Sequence, residues 1–412
     1  MDAWCMDRMK FRRSSSSSHV VLNDEDLLTL ILLRVPLKKL MSLKCVSRQW
    51  QSLISTPHFT SLRCLLPLRA SGLFIQRAPI SDFPRAGLNE VYFVPLDDQT
   101  TSSPFRTLTF AHEGFDPRSI RVLESCNGLL LCSIGLNCYV YNPSNNHLAI
   151  LPKHPPGTDV CYIGLAFEPS KSLHYKVITF VITSSQSQSY IGDFHIYSSE
   201  TRTLKVSVQS FAPALGMYFG GGVYWHGSVH WLTDLDDMKL VNWPVSDCLY
   251  FNVDECRLEK FPRPPISVKS ASRSHSYFGE SEDHLHFIEV CPYATSLSVH
   301  EMKSDYSEWF VKYLIDLTPI SKVFPEMTKD EACLDNGNNF AVAVLSLIRR
   351  ENFHEDSFLV LEIPGKAIRY NLVDRSFSLI WNFAVDMGLE KVDLWPIGRL
   401  QVWQSIETQS CV

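Results

Sequence analysis

The chain has 412 residues, of which 45% are hydrophobic and 20% are charged, and its formal net charge is −6 at pH 7. This length predicts two or three folded domains, and the acidic balance argues against sequence-independent nucleic-acid binding, which requires a basic surface. No run of eighteen apolar residues occurs, so the sequence predicts neither a transmembrane helix nor another association with a membrane.

The first segment, residues 1–19, is polar and ends in a run of five serines. This composition is typical of a disordered tail. Three basic residues, Lys10, Arg12 and Arg13, precede the serines. They fit either a short nuclear-import signal or an ordinary solvated cluster.

The next segment contains seven residues, Leu27 to Leu33, of which six are apolar. A helix that is apolar on all sides must be covered on more than one side, and little of its own domain is available here. We therefore expect one face to pack locally and another to bind a partner protein. Pro36 ends this helix, and either Asn23 or Asp24 is expected to cap its N-terminus.

Two further apolar segments complete a small helical unit. The second covers residues 37–43, and the third runs from Val46 to Ile54 at helical spacing before Pro57 closes it. Three short helices in so few residues are marginal as an independent domain.

The segment Leu22 to Leu62 contains RVPLKKLMSLKCVSRQWQSLISTPHF and resembles an F-box. It departs from the usual pattern only at its start, where Asn23 replaces proline and one extra residue precedes Arg-Val-Pro. The resemblance implies an F-box domain over residues 20–62 that docks on a Skp-family adaptor within a cullin-RING ubiquitin ligase. The residues expected to bind the adaptor, some directly and others by shaping the surface, are Leu27, Ile31, Leu32, Pro36, Leu37, Leu40, Val46 and Trp50. The alternative is an ordinary helical hairpin packed on the following domain.

From about residue 70 the sequence consists of short apolar runs separated by Gly, Pro, Asn, Asp and Ser, as is typical of short strands and turns. One pattern, an apolar run followed by a polar turn and a second apolar run, recurs six times at steps of 48, 56, 54, 49 and 70 residues. Four-stranded propeller blades take about 40 to 50 residues each. The sequence therefore predicts a mainly β chain, with the small α-helical F-box at its N-terminus and a β-propeller-like domain of about six blades over residues 70–405.

The long last step is attributed to a blade insertion at Asp305–Leu334. A β-sandwich with irregular hairpins is the alternative to the propeller, since regular spacing carries the assignment.

Five segments between Leu123 and Pro262 also resemble a known family. They are ESCNGLLLCS, CYVYNPSNNHLAILP, GLAFEPSKSLHYKVI, FHIYSSETRTLKV and GGVYWHGSVHWL. They are similar to the F-box-associated domain of flowering-plant F-box proteins. In that family pattern the counterparts of Trp225 and Trp231 lie in strands, so we assign both residues to the core.

No catalytic motif is present: the chain lacks a Gly-x-Ser-x-Gly elbow, a Gly-rich phosphate loop and a His-Glu-x-x-His pair. His284 and His286 would share one face of a strand, but no third metal ligand is identifiable. The acidic run from Asp234 to Asp237 lacks the glycine and closing glutamate of an EF-hand. The sequence therefore predicts no catalytic residue, no metal site and no cofactor.

Three loops stand out by length or aromatic content, namely Asp234–Ser246, Arg263–Ser276 and Asp305–Leu334. If the propeller binds a target protein, we expect the contacts in such loops. The candidate target-binding residues are Trp243, Arg263, Lys269 and Arg273. The three basic residues either recognise an acidic or phosphorylated partner or serve only solubility.

The predicted function is that of a non-catalytic substrate-recognition subunit of an SCF-type ubiquitin ligase, linked to cullin through the adaptor and bound to an unidentified target. The alternative is a ligase-independent adaptor-binding interaction protein. The twelve cysteines form no Cys-x-x-Cys pair, and the single Asn-x-Ser sequence, Asn142-Pro143-Ser144, has a forbidden central proline. These features indicate a cytoplasmic or nuclear location, or both.

Overall fold

The computed structural model describes residues 24–35, 37–66, 69–77, 91–96, 120–154, 158–186, 189–207, 210–211, 221–232, 248–265, 275–291, 295–328, 340–350, 356–386 and 400–408. Four helices form the N-terminal unit: α1 (Glu25–Leu33), α2 (Leu37–Leu43), α3 (Arg48–Ile54) and α4 (Pro57–Cys64). Their buried side chains make one small core of Leu28, Leu32, Leu37, Leu40, Ile54 and Phe59.

Local capping sets the helix starts. The Asp24 carboxylate accepts the backbone N–H groups of Asp26 and Leu27 at 3.0 and 3.1 Å, which confirms Asp24 as the cap of α1. The third helix ends before Pro57 as predicted, but the prediction of three helices is wrong, because a fourth helix follows. Pro57 is the first residue of α4, capped by Thr56, because the fixed φ and missing N–H of proline suit a first helical turn.

The described residues after the F-box form 23 strands in six sheets, or blades. Blade I contains β1 (Ala70–Arg77), β2 (Val91–Pro95) and the last strand, β23 (Leu400–Ile406). Blade II contains β3 (Ile120–Cys126), β4 (Leu129–Ile134), β5 (Asn137–Asn142) and β6 (His147–Ile150), and blade III contains β7 (Asp159–Ala166), β8 (Lys176–Gln186), β9 (Ser189–Ser198) and β10 (Thr203–Val206). Blade IV contains β11 (Val223–Trp225), β12 (Ser228–Trp231), β13 (Cys248–Asn252) and β14 (Arg257–Phe261). Blade V contains β15 (His275–Ser281), β16 (His284–Val290), β17 (Ser296–Met302) and β18 (Trp309–Asp316), and blade VI contains β19 (Ala343–Ile348), β20 (Phe358–Ile363), β21 (Lys366–Asn371) and β22 (Phe377–Trp381).

Blades II to VI are antiparallel meanders whose strands pair in chain order. The first strands face the centre of the ring: β15 contacts β19, β19 contacts β23, and β23 contacts β3. β23 therefore serves as the innermost strand of blade I, although it comes last in the chain. It pairs with β1 through seven registered residue pairs, including Leu73 with Gln404 and Phe74 with Trp403.

Joining the first and last strands in one blade closes the ring and leaves no open sheet edge at its seam. The six-bladed propeller prediction is thus confirmed, and the sandwich alternative is wrong. The predicted insertion at Asp305–Leu334 is also wrong in its first part, because β18 is the fourth strand of blade V. In the described part of that range, up to residue 328, α5 (Thr318–Val323) and a short 3-10 turn, Pro325–Met327, are helical. Another helix, α6 (Phe383–Asp386), follows β22.

The core lies between adjacent blades. At the boundary of blades III and IV, the rings of Phe194 and Phe251 stack with centroids 4.0 Å apart. Trp231 from the same boundary is 0% exposed, and Trp225, which packs toward blade V, is 2% exposed. The assignment of both tryptophans to the core is therefore confirmed.

Alternation of strand direction gives the ring two different faces. Connections from first to second and from third to fourth strands leave at one face, which we call the turn face. They are mostly short, as at Asn127–Gly128, His226–Gly227 and Glu282–Asp283. Apart from residues 96–119 between β2 and β3, the other connections leave at the opposite face, the loop face, and include residues 232–247, 262–274, 317–342 and 382–399.

Gly128 brings the C-terminal segment close to blade II. Its φ is +92°, and a Cβ at this position would lie 2.4 Å from the backbone oxygen of Ile406. We expect Gly128→Ala to lower the free energy of unfolding by about 1–3 kcal/mol from backbone strain, with a further loss from the clash. Gly135→Ala is the matched control, because φ is +58° there but no atom lies within 4 Å. Chemical denaturation of both variants measures the difference, and equal losses would contradict a role of Gly128 in close approach.

Candidate functional site

Helix α1 exposes a continuous apolar face. Leu27, Leu30 and Ile31 lie at i, i+3 and i+4, so they share one side of the helix, and they are 41%, 51% and 47% exposed. Leu28 and Leu32 point to the other side and are 1% exposed. We call Leu27, Leu30 and Ile31 the α1 patch. A patch of large aliphatic side chains on a helix is suited to binding another protein.

The other predicted adaptor-binding residues are divided between surface and core. Val46, between α2 and α3, is 60% exposed. Leu32, Leu37 and Leu40 are buried, and Trp50 is half-buried against the same core. These four residues can shape the surface of the F-box. Of the four, Trp50 alone has a solvent-exposed part that a partner could contact directly.

Pro36 lies outside the described residues. Leu30 was absent from the predicted set, although its spacing from Leu27 placed it on the same helical face. Which side of an all-apolar helix is covered depends on the other three helices, so the sequence of α1 alone did not distinguish Leu30 from Leu28.

The F-box is attached at the turn face of the propeller. The chain passes from α4 to β1, which begins at that face, and the end of β23 lies there as well. The Glu407 carboxylate, one residue beyond β23, accepts the backbone N–H of Leu37 at 2.6 Å. The α1 patch therefore belongs to a unit held on one side of the ring.

A cavity of about 360 Å³ opens at the turn face, between the segment after α4 and the turns of several blades. Its lining includes the acidic residues Glu168, Glu280 and Asp283 and the basic residues Arg349 and Arg350. Burial raises the pKa of Glu280 to about 7, although its carboxylate accepts the N–H of Asp283 at 2.7 Å. These charges contact neighbouring protein groups and do not form a nucleophile–base pair.

His284 and His286, the two histidines considered as metal ligands, lie beside the carboxylate of Glu301 instead. His284 Nδ1 lies 3.1 Å and His286 Nε2 lies 3.5 Å from Glu301, which also accepts from Arg349 at 2.6 Å. Burial lowers the pKa of His286, which opposes its protonation. Within the described part of the chain, no group of three or more His, Cys, Asp or Glu side chains is arranged to hold a metal ion.

The candidate target-binding residues belong to connections at the loop face. Arg263, just after β14, is half-buried, and burial lowers the pKa of its guanidinium. Trp243, Lys269 and Arg273 lie outside the described residues. The strand ends show that residues 232–247, 262–274 and 317–342 all start and finish on the loop face, opposite the F-box attachment. No described helix is long and apolar enough to cross a membrane.

Comparison with known proteins agrees with this architecture. Residues 22–62 match the F-box domain family, and residues 86–372 match the family described as the F-box associated beta propeller domain. F-box protein At5g07610 of Arabidopsis thaliana is 31% identical over 394 residues, which cover 90% of this chain and 88% of that protein. F-box protein At5g49610 of the same plant is 28% identical over 225 residues, which cover 50% of this chain and 57% of that protein.

Among solved structures, an oligogalacturonate lyase in complex with manganese aligns over 61% of each chain with a TM-score of 0.37 and 9% identity, a similarity too low to bear on function. The two domain matches and the relative aligned over most of both chains are sufficient for the assignment. The chain belongs to the plant F-box proteins that carry an F-box-associated β-propeller domain.

Proposed function

We propose that this protein is the substrate-recognition subunit of an SCF-type cullin-RING ubiquitin ligase. The observation that carries the proposal is the separation of two surfaces: the α1 patch belongs to a unit attached at the turn face, while six connections of more than ten residues leave at the loop face. The α1 patch would bind a Skp-family adaptor, and the adaptor would connect the chain to cullin. The role is non-catalytic, because the ligase accelerates ubiquitin transfer by raising the local concentration of the target.

The target would bind at the loop face. A target bound there would not compete with the F-box attachment, which occupies the turn face. Six connections on the loop face exceed ten residues, namely 78–90, 207–222, 232–247, 262–274, 317–342 and 382–399, whereas the connections from third to fourth strands on the turn face are short turns. Long connections vary without disturbing the blades, so they suit the recognition of a particular protein. We place this activity in the cytoplasm or nucleus, since the cysteines among the described residues are free.

The direct test of the proposed function is reconstitution. The full chain is mixed with a Skp-family adaptor, cullin, its RING partner and the ubiquitin enzymes, and proteins captured by the chain are scored for ubiquitin transfer. We expect cullin to co-purify and transfer to require the full chain. Adaptor binding without cullin would instead establish a ligase-independent interaction protein, and no adaptor binding would overturn both.

A triple substitution tests target binding at the loop face. We expect Arg263→Ser with Lys269→Ser and Arg273→Ser to leave adaptor affinity unchanged and to reduce target capture at least about tenfold, because contacts to charged groups contribute strongly to binding. The matched control replaces three exposed basic residues near the turn face, Lys171, Arg257 and Lys303, by serine. Quantitative mass spectrometry of captured proteins, with the proteasome inhibited, measures both variants. Equal capture by the two variants would remove residues 262–274 from the target site.

A further inference from the structure

The Glu407 carboxylate joins the F-box to the end of the propeller. Glu407 and Leu37 are 370 residues apart in the chain, yet the Leu37 N–H donates to Glu407 Oε2 at 2.6 Å. Leu37 is the first residue of α2, so this N–H has no partner within its own helix. The contact therefore fixes the start of α2 to the propeller.

Arg63 of α4 reaches the same place from inside the F-box. Its guanidinium donates to the backbone oxygens of Leu33 and Val35 at 3.1 and 2.9 Å and lies 4.0 Å from Glu407 Oε2. The side chain is 15% exposed. Burial lowers the pKa of Arg63, and the nearby Glu407 charge opposes this shift. An arginine guanidinium remains protonated in proteins. Arg63 thus holds the joint between α1 and α2 beside the Glu407 carboxylate.

Glu407 is itself fixed from both sides. Ile406 before it ends β23, and Thr408 after it is buried. The Thr408 N–H donates to Ser144 Oγ at 3.0 Å, and the Thr408 oxygen accepts from Asn142 Nδ2 at 3.2 Å. Ser144 and Asn142 belong to blade II, so the carboxylate is in place only when β23 has closed blade I beside blade II.

We propose that Glu407, together with Arg63, is a positioning residue that makes adaptor binding by the F-box depend on a closed propeller. The inference rests on the proposed function. The joint that these residues hold connects α1, which carries the α1 patch, to α2, whose Leu37 and Leu40 complete the F-box core. When β23 is not paired, the joint loses the Glu407 carboxylate and Arg63 loses its counter-ion. A chain whose propeller ring is not closed then binds the adaptor less tightly than a chain with a closed ring.

The experiment compares the full chain with Glu407→Ala and Glu407→Gln. We expect Glu407→Ala to raise amide hydrogen exchange at Leu37 and to weaken adaptor affinity by roughly tenfold, the scale of a lost hydrogen bond to a charged group. Amide hydrogen exchange in β23 and the midpoint temperature of thermal unfolding of the propeller should equal those of the parent chain. Glu407→Gln keeps an acceptor oxygen but no charge, so it should retain most of the Leu37 protection and lie between the parent and Glu407→Ala in affinity. Glu200→Ala, at an exposed turn between β9 and β10, is the matched control and should change neither quantity.

Unchanged Leu37 exchange and adaptor affinity in Glu407→Ala would overturn the proposal. An equal rise of exchange in β23 would also overturn it, because Glu407 would then only stabilise the propeller. The exchange measurement needs no adaptor, so it tests the joint even if the parent fails to bind one. Failure of the parent to bind any Skp-family adaptor would instead contradict the proposed function.

Discussion

A chain ending at residue 398 is expected to lose the cooperative unfolding transition of the propeller and to self-associate. It lacks β23, which is the innermost strand of blade I and contacts both β19 and β3. The seven registered pairs between β1 and β23 would be lost. At about 1 kcal/mol per net hydrogen bond, their ladder alone accounts for about 5 kcal/mol or more, which is comparable with the whole stability of many domains. The bare edge of β1 would also be free to pair with other chains.

The matched control for this truncation is a chain ending at Thr408. It keeps β23, Glu407 and the contacts of Thr408 with blade II. We expect this chain to melt at the parent temperature and to remain monomeric. Calorimetry and size-exclusion chromatography compare the two truncations. A monomeric 1–398 chain with the parent melting temperature would show that the ring does not depend on its closing strand.

Replacing Leu27 and Ile31 together by aspartate is expected to reduce adaptor affinity by about a thousandfold. Hot-spot residues at the centre of a protein interface contribute about 2 kcal/mol or more each, and a buried carboxylate adds a desolvation cost. Both side chains are almost half exposed and contribute little to the F-box core, so the fold should survive. Isothermal titration with the purified adaptor measures the affinity, and circular dichroism checks the helices.

Two controls make this result specific. Gln51→Asp with Ser52→Asp adds the same charge to exposed polar positions of α3 and should leave the affinity near that of the parent. Leu32→Asp places a carboxylate at a position only 1% exposed, so it should unfold the F-box. Adaptor binding should then be lost because the F-box is no longer folded. If the Leu27 and Ile31 variant folds and binds like the parent, the α1 patch is not the adaptor surface.

Local sequence signals were sufficient wherever the determining contact lies within a few residues. The run from Leu27 to Leu33 specified α1, and Asp24 specified its start because an N-cap side chain acts on the next turn. Repetition of strand–turn–strand units specified six blades, since each unit folds against its sequence neighbours. Thr56 and Pro57 together are also a local signal for the start of a helix, but Pro57 was interpreted as the end of the preceding helix.

Weak local patterns leave several strands hard to recognise in the sequence. The outermost strands of the blades are largely solvated, and β10 is exposed along its whole length. The innermost strands β3, β7 and β15 are equally hard to recognise. They contain polar residues and closely packed glycines such as Gly164 and Gly279, where a Cβ would meet a tyrosine ring. Such residues interrupt the alternation by which strands are recognised.

The sequence by itself determined the two domain types, the number of blades and the apolar character of α1, because each depends on patterns within one segment. Only the tertiary structure decided that Leu27, Leu30 and Ile31 face outward while Leu28 and Leu32 face inward, since this depends on where α2, α3 and α4 pack. Only it placed β23 beside β1 and Glu407 at the N–H of Leu37. Both contacts join segments more than 300 residues apart, and no local pattern encodes such pairings because they arise when the ring closes.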